Sequence, residues 1–464
     1  MLTDSSQFML LLISLLLHSA QSMSAAVTHL PGFLPSSSST LPFNLETGYV
    51  TVDEVHGVEL FYYLIESEGK PSEDPLLLWL TGGPGCSALS ALALEIGPLK
   101  FKTEKYNGSL PNLVYNPYAW TKFSSIIFLD SPVGTGFSFS HQPEGYQTGD
   151  KSWAEHANIF LRKWLADHPQ YLSNHLYVAG DSYAGKVVPL VAQYLSNGND
   201  NGMQPRVNLK GYIVGNPSTG EKIDFNSRVP FAHGMGIISD ELAKSIRRTC
   251  KGENYQNPKN ALCASHLQIF QEFESEIMKS HILEPKCTLA SQKPRHTTRS
   301  LQDESSKKLI TLSEPDIKCR TYAYYLMHIW ANNVATKNAL HVKKGTVDEW
   351  QRCKHDLAFA KDLRSSMQYH TNLTTRGYRA LVYSGDHDMI VPFVGTKWWI
   401  RSLNFSVIGQ WRSWHVKGQV AGYTVSYSNN LTFATVKNGG HTAPEYKPEE
   451  CSAMARRWIS QIPL

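Results

Sequence analysis

Three short polar segments stand far apart in a chain of 464 residues: Gly180-Asp181-Ser182-Tyr183-Ala184-Gly185, Gly385-Asp386-His387-Asp388 and Gly439-Gly440-His441. A serine, a carboxylate and a histidine are the parts of a nucleophilic acyl-transfer centre. The imidazole takes the hydroxyl proton, the carboxylate orients the imidazole and stabilises its charged form, and the serine oxygen attacks a carbonyl carbon. Ser182 and His441 are the candidates for the first two parts, and both Asp386 and Asp388 are candidates for the third.

The flanking sequence shows how such groups are positioned. Leu176-Tyr177-Val178-Ala179 reads as a buried strand, and Tyr183 through Tyr194 as a helix with Val187, Leu190 and Val191 on one side. A serine between them sits on a tight turn, where the small residues Gly180 and Ala184 let the two backbones pass. The helix N-terminus then faces the hydroxyl, and its partial positive charge favours a developing oxyanion. The chain order Ser, Asp, His is that of α/β-hydrolases; chymotrypsin-like and subtilisin-like enzymes use other orders.

The remaining elements agree with that architecture. Tyr49–Asp53 and Val58–Ile65 alternate like antiparallel strands. Leu76–Leu80, Ser124–Leu129, Leu209–Val214 and Arg379–Tyr383 are continuous apolar runs, and Asp150–His168 has helical spacing through Trp153, Phe160 and Trp164. Buried strands alternating with helices predict an α/β fold: a mainly parallel central sheet with helices on both faces. Residues 216–334 break the pattern, with helical stretches at Asp240–Thr249 and Leu267–Ser280 and no clear buried strand. The expected division is a signal peptide over 1–24, a first core part over 25–215, a helical cap insertion over 216–334 and a second core part over 335–464. Within the insertion, the polar stretch 291–316 is expected to be exposed and open to proteolysis.

Composition narrows the setting. The hydrophobic fraction is 42% and the charged fraction 18%, ordinary for a globular chain. A net charge of +4 without a basic run carries no nucleic-acid signature. The apolar block 8–17 is too short to span a bilayer and fits the core of a secretory leader, with cleavage expected within 20–26, although the segment before it holds Asp4 and no Lys or Arg. No other stretch is long and apolar enough to serve as a membrane anchor. Seven cysteines lie beyond the leader, an odd count that implies three bridges and one thiol in an oxidising compartment. Sequons at Asn107, Asn372, Asn404 and Asn430 agree with a glycosylated surface, whereas Asn216-Pro217-Ser218 is excluded by its proline. Neither metal-ligand spacing near the site nor a nucleotide fingerprint is present, so no cofactor is implied.

Trp79-Leu80-Thr81-Gly82-Gly83-Pro84-Gly85-Cys86-Ser87, the run from Asp130 to Ser138, the Ser182 turn, the Asp388 loop and Gly439-Gly440-His441-Thr442-Ala443-Pro444 closely resemble serine carboxypeptidases. More narrowly, the chain resembles the plant serine carboxypeptidase-like acyltransferases, which move an acyl group from a 1-O-acylglucose to an alcohol or amine. The resemblance implies Ser182 as nucleophile, His441 as base and Asp388 as its orienting acid, leaving Asp386 a structural role in its loop and His387 as a loop histidine. It implies an oxyanion hole from the backbone N–H groups of Gly83 and Tyr183. It implies bridges Cys86–Cys353, Cys250–Cys263 and Cys287–Cys319 with Cys451 free; the last bridge would keep two chains linked if 291–316 were excised, as in some relatives. The vacuole or the extracellular space is the implied destination.

Three residues bear on the reaction. Peptidases of the resembled family carry asparagine at the position of Thr81 and glutamate at that of Asp181, and these grip the substrate's terminal carboxylate. Here both are changed, with Glu95 as the neighbouring carboxyl that shares a proton. A peptide carboxylate is left less well paired, which favours transfer over peptide cleavage. Thr81, Gly82, Glu95, Asp181 and Gly440 are the expected substrate-binding residues, with Thr81, Asp181 and Glu95 joined in one hydrogen-bonded network in the donor site. An acylglucose donor carrying an aromatic acyl group and a small-molecule acceptor are the expected partners. A serine carboxypeptidase is the second reading, and a non-catalytic companion protein the third.

Overall fold

The computed structural model describes residues 23–34, 40–287 and 314–464. The leader's apolar block and residues 291–313 of the polar stretch lie outside them, so neither reading meets a structural feature.

Eleven strands run in one continuous sheet. In chain order they are β1 (Met23–Val27), β2 (Leu45–Asp53), β3 (Val58–Ile65), β4 (Leu76–Leu80), β5 (Ser125–Leu129), β6 (Leu176–Asp181), β7 (Leu209–Gly215), β8 (Arg379–Gly385), β9 (Val407–Val416), β10 (Gln419–Tyr427) and β11 (Leu431–Val436). A two-residue strand, Phe139–Ser140, pairs with β3 as the twelfth. Across the sheet the order is β1-β2-β3-β5-β4-β6-β7-β8-β11-β10-β9. The central strands β5, β4, β6, β7, β8 and β11 are parallel, and antiparallel strands flank them on both sides. The apolar runs of the sequence are five of these parallel strands, β4 to β8, because a strand covered on both faces has no polar side to show.

Strand β4 illustrates the layering. Leu76, Leu78 and Leu80 enter one core with Trp153, Phe160 and Trp164 of α1 (Asp150–Asp167) and Val187, Val188 and Val191 of α2 (Ala184–Asp200). Leu77 and Trp79 enter the opposite core. Alternate side chains therefore leave the strand on opposite faces, and both faces are buried.

The described residues of 216–334 form helices and no strand: α3 (Ile223–Asn226), α4 (Arg228–Gly234), α5 (Asp240–Thr249), α6 (Ala261–Ser275) and α7 (Thr321–Asn332). Helix α6 departs from the expected 267–280. It starts at Asn260, whose side chain accepts from the Leu262 and Cys263 N–H groups, a cap worth about 1 kcal/mol. It stops at Ser275, because the following backbone bonds to two loops of the sheet instead. These helices build a third apolar core from Phe231, Ile246, Leu267 and Phe270, and Met389 from the loop after β8 plugs into it. The described chain continues through α8 (Val334–Ala339), α9 (Met367–Thr375) and α10 (Phe393–Ser402), and ends in α11 (Ala443–Tyr446) and α12 (Pro448–Ile459).

The three bridges form between the implied partners, and Cys451 is a buried free thiol. Asn107, Asn372, Asn404 and Asn430 are all exposed. No helix among the described residues is long and apolar enough to cross a membrane.

Candidate active site

The parallel strands end on a common edge, and the loops that leave that edge bring the distant polar segments together. Ser182 follows β6 with φ of +55°, a left-handed conformation uncommon for a residue with a Cβ. Three backbone bonds hold it there: Ser182 N–H to Gly215 O at 2.9 Å, and Gly185 and Ser218 N–H to Ser182 O at 3.0 Å. A side chain at Gly180 would collide with the Leu80 carbonyl, so the crossing of strand and helix requires glycine there.

His441 Nε2 lies 2.7 Å from Ser182 Oγ, and its Nδ1 lies 2.8 Å from Asp388 Oδ2. A carboxylate only accepts, so Nδ1 carries the proton and the Nε2 lone pair faces the serine hydroxyl. Asp388 is fully buried. Besides His441 it accepts from Asn216 Nδ2 at 2.8 Å, Ile390 N–H at 2.7 Å and Val391 N–H at 3.1 Å. Burial opposes charge on His441, but the Asp388 carboxylate, by charge and hydrogen bond, and the Asp181 charge outweigh it and raise the imidazole pKa. Asp386 does not face the imidazole. Its Oδ1 accepts from His387 Nδ1 at 2.6 Å and from Asn438 N–H at 2.7 Å, tying the two loops together.

Gly83 has φ of +121°, open to glycine alone. Its neighbour Gly82 lies so close to Ser182 that a Cβ there would come within 2.9 Å of Tyr183 N. Among the described residues, neither the Gly83 nor the Tyr183 N–H donates to a protein acceptor. The Tyr183 hydroxyl is turned aside to the buried Asp150 at 2.9 Å, where Lys186 balances the charge. The loop carrying Gly83 is pinned by the Cys86–Cys353 bridge, and by Asp130, which accepts from Ser87 Oγ at 2.6 Å and Ala88 N–H at 2.8 Å.

The expected network of Thr81, Asp181 and Glu95 does not form by direct hydrogen bonds. The Thr81 hydroxyl accepts from the Trp79 indole at 3.2 Å, and Asp181 Oδ1 accepts from Gly82 N–H at 3.2 Å. Glu95 ends a π-helical turn, Ala91–Glu95, and its Oε2 is buried with no hydrogen-bond partner among the described residues. Charge links the carboxyls instead. Burial, then the charges of Asp181 and Glu445, push Glu95 well up, against Arg352. Burial pushes Asp181 up to about 6 against the His441 charge and the Gly82 N–H. Gly440 packs on the Ser280 carbonyl and the Tyr446 ring and spaces the histidine loop.

The sequence reading missed two residues. Asn216, noted only as a failed sequon, also accepts from Gly385 N–H at 3.1 Å through its Oδ1 and so joins β7 to the Asp388 loop. Its place just past a buried parallel strand, where sites of such sheets gather, was the available signal. Arg228 donates to Ile390 O from Nε at 3.0 Å and Nη2 at 2.7 Å and fixes the same loop from the insertion. Its role had no signal in the chain. Among the described residues no group of three or more His, Cys, Asp and Glu side chains is arranged to hold a metal ion.

A mainly parallel sheet with helices on both faces, and a serine on the turn between β6 and α2, define an α/β-hydrolase. The chain belongs to the serine carboxypeptidase family, whose model matches residues 35–461. It is 48% identical over 458 residues to serine carboxypeptidase-like 2 of Arabidopsis thaliana, covering 98% of this chain and 97% of that protein. It is 49% identical over 434 residues to serine carboxypeptidase-like 17 of the same plant, covering 93% of each. The prohormone-processing carboxypeptidase Kex1 of Saccharomyces cerevisiae shares the fold, with a TM-score of 0.69 at 19% identity, covering 90% of this chain and 92% of that one.

Proposed function

We propose that this protein is an acyltransferase. It moves an acyl group, aromatic in our reading, from a 1-O-acylglucose to an alcohol or amine through an acyl-enzyme on Ser182. The observation that carries this reading is the state of the three donor-site residues. The Thr81 hydroxyl is engaged by Trp79, Asp181 accepts from Gly82, and no side-chain amide stands at either position to grip a carboxylate. Glu95 keeps a buried oxygen without a partner, and its raised pKa favours the neutral acid. A peptide's terminal carboxylate only accepts and is short of donors without the amide at position 81, whereas a sugar hydroxyl both donates and accepts and can use the unpaired Glu95 oxygen.

In this mechanism His441 Nε2 takes the Ser182 proton as Oγ attacks the ester carbonyl. The Gly83 and Tyr183 N–H groups receive the oxyanion. The bond to the anomeric oxygen breaks, and His441 returns its proton to the leaving glucose. An acceptor hydroxyl or amine then gives its proton to neutral His441 and attacks the acyl carbon, and Ser182 leaves with the proton restored. Residues 216–334 act as the cap that positions the acceptor and limits water. The three bridges and the family fit an oxidising secretory route. Glycans on the four exposed sequons and delivery to the vacuole or the exterior belong to this proposal, as does excision within 291–316.

The test incubates purified protein with hydroxybenzoyl- and hydroxycinnamoyl-glucose plus a panel of alcohols and amines, and separately with blocked dipeptides. Acyl transfer that Ser182→Ala abolishes is the expected result. Dipeptide cleavage without transfer would establish the carboxypeptidase reading instead, and activity unchanged in Ser182→Ala would leave a companion role.

A further inference from the structure

The segment that leaves α6 runs across the backs of both loops that carry His441 and Asp388. Lys279 O accepts from Met389 N–H at 2.9 Å, Ser280 O accepts from His441 N–H at 2.8 Å, and Ile282 N–H donates to His387 O at 3.1 Å. One bond reaches the residue after Asp388, one the residue before it and one His441 itself. Between these bonds His281 turns inward and is buried, at 4% exposure.

His281 is the second of four planar groups in a column. Its ring stacks on His387 at 5.3 Å and 8° on one side, and on Tyr446 at 4.9 Å and 28° on the other. The Arg320 guanidinium lies 3.9 Å from the Tyr446 ring centroid. Each member comes from a different part of the chain: the Asp388 loop, the segment after α6, α11 behind His441, and the residue before α7. Both ends are fixed. Asp386 holds His387 Nδ1 at 2.6 Å, and Arg320 binds Glu284 and donates to the Glu445 carbonyl at 3.1 Å. Both nitrogens of His281 are used. Nε2 donates to Asn438 O at 3.3 Å, and Nδ1 accepts from Leu283 N–H at 3.4 Å, which requires the neutral ring. Facing groups favour that form on balance. Burial lowers the His281 pKa, with His387 and Arg320 acting in the same sense, against the Asn438 carbonyl and Glu284. Tyr446, pushed up by burial, stays neutral.

We propose that His281 is a positioning residue for the transfer reaction: its ring is the wedge that keeps the Asp388 and His441 loops in register with each other. The inference rests on the triad assignment above. It assigns His281 no contact with substrate. Acyl transfer requires the Nε2 lone pair to stay on the serine hydroxyl while Nδ1 stays on Asp388, and displacements near 1 Å far from the reacting atoms cost about 10²-fold in rate. Without the wedge, the two loops keep their backbone bonds to Lys279 and Ser280 but lose the surface that sets their spacing.

The experiment measures kcat and KM for p-nitrophenyl acetate and the rate at which a fluorophosphonate probe captures Ser182, in wild type, His281→Ala and His281→Phe. In His281→Ala, kcat falls about 10²-fold with KM within about twofold, and probe capture slows in proportion. His281→Phe keeps a flat ring in the column and recovers to within about fivefold of wild type. A His281→Ala enzyme with kcat within twofold of wild type overturns the inference. So does a folded His281→Phe enzyme about 10²-fold slower than wild type, a result that decides the matter even if the alanine variant fails to fold. Ser182→Ala is the control for the reading beneath: probe capture persisting there would overturn the nucleophile assignment itself.

Discussion

Asp388 and Glu95 are both buried carboxyls of one site, and they are built in opposite ways. Asp388 receives a donor from Asn216, two from backbone N–H groups and one from His441. Glu95 has an oxygen that receives none among the described residues, and its neighbours Asp181 and Glu445 are themselves carboxyls. The first environment fixes a charge in place and leaves it no other task than holding an imidazole. The second disfavours charge and leaves hydrogen-bonding capacity unused. In the proposed reaction the same functional group serves orientation at one position and ligand recognition at the other, and the number of donors around it separates the two.

The same chemical change, carboxyl to amide, separates the two environments. Asp388→Asn removes the negative charge that stabilises the imidazolium. Its NH₂ must also face either the Ile390 N–H now bonded to Oδ1 or the His441, Asn216 and Val391 donors now bonded to Oδ2, so His441 loses its charged partner in one orientation and its working tautomer as well in the other. The expected loss in kcat is about 10⁴-fold. Steady-state turnover of an activated ester, with circular dichroism to show an unchanged fold, checks it. A loss under tenfold would mean that Asp388 does not orient His441.

Asp181 stands between the extremes, with one donor from Gly82 and a pKa pushed up to about 6 from its ordinary 3.8. The sign follows from linkage. A raised acid keeps its proton in the folded state when the unfolded chain has lost it. Stability is therefore fully present below about pH 4 and is lost as pH rises through about 6. At about 1.4 kcal/mol for each pKa unit, the loss by pH 7 is on the order of 2–3 kcal/mol. Asp130 and Asp224, also pushed up to about 6 by burial, add to the same slope. Asp181→Asn removes one share. Its melting temperature at pH 7 is expected to exceed that of wild type, with the two converging near pH 4. Parallel curves across that range would show that the Asp181 carboxyl is not held under strain.

Orientation was legible in the chain, and recognition was not. The parallel strands β4 to β8 announced themselves as apolar runs because both their faces are buried, and the Ser182 turn followed from a strand, a helix and the small residues between them. The antiparallel strands β9 and β10 gave no such signal, and the parallel strand β11 was not read from the chain. In β9, Val407, Ile408 and Trp411 are exposed, so the alternation that marks a half-buried strand is absent. The end of α6 was misplaced because the backbone after Ser275 trades helical bonds for bonds to loops more than a hundred residues later. The donor-site network failed for a related reason. Thr81, one residue past β4, accepts from the Trp79 indole two residues earlier, and no hydrogen bond joins it to Asp181. Partner choice inside a packed site depends on distances that spacing alone does not carry.

Glu95→Gln is the smallest effect and the one that tests the comparison most directly. Where Glu95 is a neutral acid, glutamine replaces it with another neutral group of the same shape that still donates and accepts. At acidic pH the kcat/KM for an acylglucose donor is expected to stay within about threefold of wild type, against the loss of several powers of ten at Asp388. The difference should widen as pH rises, because wild-type Glu95 begins to ionise beside Asp181 and Glu445 and glutamine cannot. The donor KM of the two enzymes, followed from pH 4 upward, reads this directly. If Glu95→Gln instead abolished turnover at every pH, the carboxyl would be acting as a charge or a proton carrier, and the division between an orienting acid and a recognising one would fall.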